Sequence, residues 1–179
     1  MSWFQKKAPA STPETAKTAP GGRSAKGLKI GPLLAEDVIL FPSEGMDKNA
    51  VLDRLAAAVC KKAGITDHLP FLSKVLEREG GISTTLDTGL SLPHARLDGI
   101  PAIMAGMAVL KKPVPDPKQP DLSIRVMFLF FSPNKPEAFP LHLQLLRGVS
   151  SLFQPAAIDQ LTAATTPAAV LELVRKLEA

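Results

Sequence analysis

One run of eight residues constrains this chain more than any other: Ile124-Arg125-Val126-Met127-Phe128-Leu129-Phe130-Phe131. A membrane span takes about 20 apolar residues, so the run is too short to be one. Its near-continuous apolar character fits a strand that is buried on both faces towards its end. Pro133 and Pro136 close it. Shorter strand signals stand at Val38–Phe41, Leu90–Pro93 and Ile103–Leu110.

Helical periodicity separates these strands. Leu52, Leu55, Ala56, Val59 and Ala63 share one face, and Gly64 is placed to end that helix in a left-handed cap. Asp67 can cap the next helix, with Pro70 in its first turn and Phe71, Leu72, Val75 and Leu76 as its buried stripe. That helix ends at Arg78-Glu79-Gly80-Gly81, with Arg78 at the edge of the buried face. Pro140 opens a helix aligning His142, Leu146, Val149 and Phe153. A short helix follows over Ile158–Leu161, and Thr166-Pro167 starts the last one. Strands and helices alternate, so the fold class is α/β. Between them Lys111–Pro120 holds four prolines in ten residues, which predicts a stiff surface loop.

Charge and composition narrow the function. The chain has 179 residues and a net charge of +4. Residues 1–29 carry six basic side chains against Glu14 alone, so the excess sits there and the body nets −1. Residues 1–28 are rich in Pro, Ala and Ser and predict a disordered basic arm. Aromatic residues make up 5% and tyrosine is absent, which argues against a nucleic-acid surface. No run is long enough to enter a membrane, and the first residues lack the apolar stretch of a secretory signal. The single cysteine, Cys60, excludes an internal disulfide or thiolate metal cluster and reads as a core thiol. These features suit the cytoplasm.

The chemistry lies with the histidines, His68, His94 and His142. Pro93 restricts Leu92 to extended geometry and stiffens the strand end before His94. The preceding Ser83-Thr84-Thr85 and Gly89 form a polar turn whose N–H groups and hydroxyls suit a phosphate, and Arg78 and Arg96 add cations nearby in sequence. A neutral imidazole is available near pH 7. His142 falls in the first turn of a helix, where anions are attracted. His68 follows the capping Asp67 and reads as structural. A metal-dependent hydrolase built on the three is disfavoured, because no paired-His motif occurs on one helix face.

Taken together, Arg78-Glu79, Ser83-Thr84, Gly89, Pro93-His94 and the downstream His142 resemble the IIA domains of the fructose/mannitol class (EIIA type 2) in the bacterial sugar phosphotransferase system. The nitrogen-regulatory IIA proteins are the subgroup most similar in size and layout. The resemblance spans residues 29–179 as one domain. It implies a mixed central sheet flanked by helices on both sides. It implies that His94 accepts a phosphoryl group from the phosphohistidine of an HPr-type carrier and that His142 stabilises the phosphorylated state. Arg78, Ser83 and Thr84 then match the phosphate-stabilising positions. Two family glycines are Thr85 and Asp87 here, which stiffens the turn and adds a negative charge.

The expected function is therefore a phosphoryl carrier, needing no cofactor or metal, in a regulatory, nitrogen-type branch. It is a transfer component rather than a free-standing multiple-turnover enzyme. A binding module governed by the phosphorylation state of His94 is the alternative, as is the IIA component of a sugar uptake system. The partners implied are the HPr-type donor and a IIB domain or regulatory target.

Overall fold

The computed structural model describes residues 27–179. The arm expected over residues 1–28 therefore lies outside the described residues except for its last two. Leu28 already packs on the core, slightly ahead of the boundary expected from sequence.

Strands β1 (Ile39–Leu40), β2 (Leu90–Ser91), β3 (His94–Leu97), β4 (Met104–Asp116) and β5 (Gln119–Pro133) form one sheet. Its order is β1-β4-β5-β2, with β3 also paired to β5 beyond β2. The β4–β5 pair is antiparallel; β1 runs parallel to β4, and β2 and β3 run parallel to β5. The sheet is therefore mixed, as expected. The expected apolar run lies at its centre, with Val126 to Phe131 fully buried.

The helices are α1 (Lys48–Lys62), α2 (Leu69–Glu79), α3 (Phe139–Leu152), α4 (Pro155–Ala163) and α5 (Pro167–Leu177). Strand periodicity shows which face each covers. Phe131 meets Phe71 of α2 edge-to-face at 5.4 Å, whereas Phe128 meets Phe153 at the end of α3 at 6.2 Å. Gly106 on β4 faces α1 so closely that a Cβ there would lie 2.6 Å from Val59 Cγ2. Helices thus lie on both sides of the sheet.

Local signals set the ends of these elements. Asp47 accepts from Ala50 N at 2.8 Å and caps α1, which Gly64 terminates at φ +76°. Asp67 Oδ1 accepts from Leu69 N at the start of α2, and Thr166 caps α5. The burial of α2 is shallower than its stripe predicts: Val75 is buried, Phe71 and Leu72 are half-buried and Leu76 is exposed.

Two expectations are corrected. The proline-rich stretch is not a loop but an extension of the β4–β5 hairpin, pairing Val114 with Ile124 and Pro115 with Ser123. Prolines are tolerated there because the arm projects beyond β1, so β4 needs ladder bonds on one edge only. The strand expected over Leu90–Pro93 stops at Ser91, Leu92 and Pro93 form the break between β2 and β3, and His94 opens β3.

Candidate active site

The edge formed by β3 is where the site assembles. An open cleft of about 680 Å³ lies between the C-terminal half of α2 and the start of α3. Lys74, Arg78, Ile82, His94, Arg96 and His142 are among the residues lining it.

Parallel pairing of His94 with Phe130 lays the imidazole on the Phe130 ring, 5.4 Å between centroids and 12° from parallel. His94 Nδ1 lies 2.8 Å from the Leu92 carbonyl oxygen, which can only accept. Nδ1 therefore carries the proton and Nε2 keeps its lone pair. Burial lowers the pKa of His94 and outweighs the Leu92 hydrogen bond, so the ring is neutral near pH 7.

His142 meets this ring at 5.3 Å between centroids and 61° between planes. The two imidazoles, remote in sequence, share one cleft. His142 Nδ1 lies 2.7 Å from Ser132 Oγ, and both residues are buried. No other hydrogen bond of the Ser132 hydroxyl occurs among the described residues, so its proton is satisfied by donation to Nδ1. That assigns the hydrogen of His142 to Nε2. Burial, followed by the proximity of His94, Arg96 and Arg78, lowers the pKa of His142 to about 4. Both rings are neutral: one keeps a free nucleophilic nitrogen and the other an N–H donor.

Arg78 lies in the cleft, exposed, with Nη1 donating to the Ile82 carbonyl at 3.3 Å. Ser83 and Thr84 lie elsewhere. Ser83 Oγ donates to Asp116 Oδ2 at 2.6 Å and Thr84 Oγ1 to Glu79 Oε1 at 2.6 Å, and neither hydroxyl lines the cleft. They join a buried charge network that sequence reading missed. Its centre is Lys48, whose Nζ reaches Glu79 Oε2 at 2.7 Å and Asp116 Oδ2 at 2.9 Å. The hydrogen bonds from Lys48, Ser83 and Thr85 outweigh desolvation and hold the Asp116 carboxyl well below the usual carboxylate range. Lys118 Nζ adds a bond to the Gly81 carbonyl at 3.2 Å. The hairpin arm is thereby tied to the end of α2 and to the turn before His94.

The substituted glycine positions also find an explanation. In the turn at 84–92, Leu92 N bonds Thr84 O at 3.1 Å and Leu86 N bonds Leu90 O at 2.8 Å. Only Gly89 needs positive φ there, at +91°. Thr85 is buried and bonded to Asp116, while Asp87 points to solvent outside the cleft. His68 is remote in function: its Nε2 pairs with Asp53 Oδ1 at 2.7 Å, joining α1 to the entry of α2.

Ser132, Lys48 and Asp116 carried no sequence signal. Ser132 ends an apolar strand, and the other two are charges in segments that read as surface.

Comparison with known proteins follows the same outline. The family model described as "Phosphoenolpyruvate-dependent sugar phosphotransferase system, EIIA 2" matches residues 32–177. A nitrogen regulatory protein of Pseudomonas aeruginosa is 27% identical over 148 residues, covering 82% of this chain and 95% of that protein. The fructose-specific EIIABC component of Bacillus subtilis is 30% identical over 81 residues, 44% of this chain and 13% of that protein. Among solved structures, nitrogen regulatory protein IIA-Ntr from Neisseria meningitidis superposes with a TM-score of 0.71 at 20% identity, covering 81% of this chain and 98% of that one. The IIA mannitol protein of Escherichia coli superposes with a TM-score of 0.64 at 19% identity, covering 79% and 98%.

Proposed function

The chain belongs to the phosphoenolpyruvate-dependent sugar phosphotransferase system EIIA 2 family, and on that premise we propose that it is a phosphoryl carrier with His94 as the phosphorylated residue. The observation that carries the reading is the pair of imidazoles 5.3 Å apart, with His94 Nδ1 held by the Leu92 carbonyl and Nε2 left free.

The donor is the phosphohistidine of an HPr-type carrier. His94 Nε2 attacks phosphorus in line; the new N–P bond forms as the donor N–P bond breaks, and the donor imidazole leaves with the bonding electron pair. The charge left on His94 is shared with Leu92 O through Nδ1–H. Such transfer has a loose transition state, so positioning and electrostatics supply most of the acceleration. The Nε2–H of His142 and the Arg78 guanidinium steady the phosphoryl oxygens. Ser83 and Thr84 act through the turn they brace and are positioning residues. One N–P bond replaces another, so the step is reversible.

Similarity to the Pseudomonas aeruginosa nitrogen regulatory protein favours a regulatory branch for this chain. A phosphoryl group adds about two negative charges at an exposed cleft and can make or break a contact with a target. The alternative is sugar uptake, supported by the match to the fructose-specific component and by a structural match, with a TM-score of 0.67, to a complex of IIAMTL with phosphorylated IIBMTL. Among the described residues no helix is long and apolar enough to cross a membrane; we place the protein in the cytoplasm with its donor.

The test is transfer of labelled phosphate from an HPr-type phosphoprotein to wild type and His94→Ala. Label on the wild type alone supports the carrier reading, and an unlabelled wild type removes it. Onward transfer to a IIB cysteine favours uptake over regulation.

A further inference from the structure

Arg96 stands two residues beyond His94 on β3, so both side chains leave the sheet on the same face. Both line the cleft. The ladder pairs Arg96 with Ser132, whose hydroxyl holds His142, so the guanidinium rises beside the imidazole pair. It is fixed there from two directions. Its Cζ sits 4.9 Å from the centroid of the Phe139 ring, and Nη2 donates to the Lys135 carbonyl at 2.9 Å. Phe139 in turn stacks on His142 at 6.2 Å and 14°.

What Arg96 lacks is an acceptor of opposite charge. Among the described residues it makes no salt bridge. Its Nε–H is buried and has no hydrogen-bond partner among the described residues. Buried donors without acceptors are rare in folded proteins, and each asks for a reason. The acid of the cleft, Glu77, is paired with Lys74 at 3.3 Å. A planar fork of donors, pre-oriented and short of an anion, suits the oxygens of a phosphoryl group.

We propose that Arg96 is a second phosphoryl-binding residue, its guanidinium contacting the group on His94 from the β3 wall while Arg78 reaches it from α2. This rests on the reading that His94 is the phosphorylated residue, but not on the identity of the donor. The group's negative charge is the acceptor that the fork lacks. Arg96 is held by Phe139 and Lys135 before the group arrives, so little side-chain freedom is lost on contact.

The test uses the full chain phosphorylated chemically with phosphoramidate, which needs no carrier protein. Phosphorus NMR follows the titration of the phosphoryl group in wild type, Arg96→Lys and Arg96→Ala. A nearby cation favours the dianion, so the expected midpoint for Arg96→Ala is up by about one pH unit, a tenfold weaker acid. Arg96→Lys falls between the two. In the wild type, which needs no substitution, the Arg96 Nε–H proton resonance moves downfield when His94 is phosphorylated. A titration of folded Arg96→Ala that superposes on the wild type, or an unmoved Nε–H resonance, overturns the proposal. If phosphoramidate labels His94 and the HPr-type donor does not, the donor reading fails and the Arg96 contact stands on the phosphorus titration.

Discussion

Ser132 Oγ and His142 Nδ1 lie 2.7 Å apart in a buried setting, and this single hydrogen bond sets which nitrogen of His142 carries the ring hydrogen. Donation by the serine puts the ring hydrogen on Nε2, where a phosphoryl oxygen can use it. Ser132→Ala removes that restraint. The expected outcome is a mixture of His142 tautomers in long-range nitrogen–proton NMR and a transfer rate down roughly five- to tenfold, the kinetic equivalent of about 1–1.4 kcal/mol. Ser132→Thr should restore both. An unchanged tautomer in Ser132→Ala would show that the serine plays no such part.

Acid should weaken the fold through the same ring. The folded pKa of His142, about 4, lies below its ordinary value of 6.5. The unfolded chain therefore binds the extra proton first as pH falls. Stability conferred by the neutral ring is complete above about pH 6.5 and is lost progressively down to about pH 4, by about 3 kcal/mol. His94 shifts in the same direction. Urea unfolding at pH 7 and pH 4.5 checks this; His142→Gln should lose clearly less stability between the two than wild type does. Equal losses would mean that the ring is not buried as described.

Lys48 is the cation between two buried carboxylates, Glu79 at 2.7 Å and Asp116 at 2.9 Å. Lys48→Met leaves both uncompensated and should cost about 3–5 kcal/mol at pH 7. Without Lys48 the Asp116 carboxyl, now held low in part by that lysine, titrates higher, so the deficit should shrink as the pH is lowered towards 4. Thermal melts across that range test the sign. A deficit independent of pH would place the loss in packing rather than charge.

At Gly106 the sheet and α1 meet without room for a side chain. An added Cβ would sit 2.6 Å from Val59 Cγ2 and 3.0 Å from the Val38 carbonyl oxygen. Gly106→Ala should therefore destabilise by about 1–3 kcal/mol. Val59→Ala in the same chain should recover part of that loss, because it removes the nearer obstacle. Denaturant midpoints of the single and double variants measure the coupling.

Much of the frame was readable in advance because it rests on local physics. An apolar run from Ile124 to Phe131 must be buried and suits the inside of a sheet, and stop and start signals such as Gly64 and Thr166 act within a few residues of themselves. The proline-rich arm misled because proline excludes a central strand but not one with a free edge. Ser83 and Thr84 could not be oriented from sequence, because a hydroxyl's position in the chain does not say which way it points; here both turn into the Lys48 network.

The amino-acid order by itself determined the element pattern, the α/β class and the two histidines worth attention, since periodicity and turn chemistry act over short spans of chain. Only the tertiary structure decided that His94 and His142 share a cleft, that Ser132 orients one and Leu92 the other, and that Arg96 stands beside them with a donor to spare. Those relations arise when β3 docks parallel to β5 and α3 closes over the same face. Strand register and helix packing set such distances between residues far apart in the chain, and no local pattern records them.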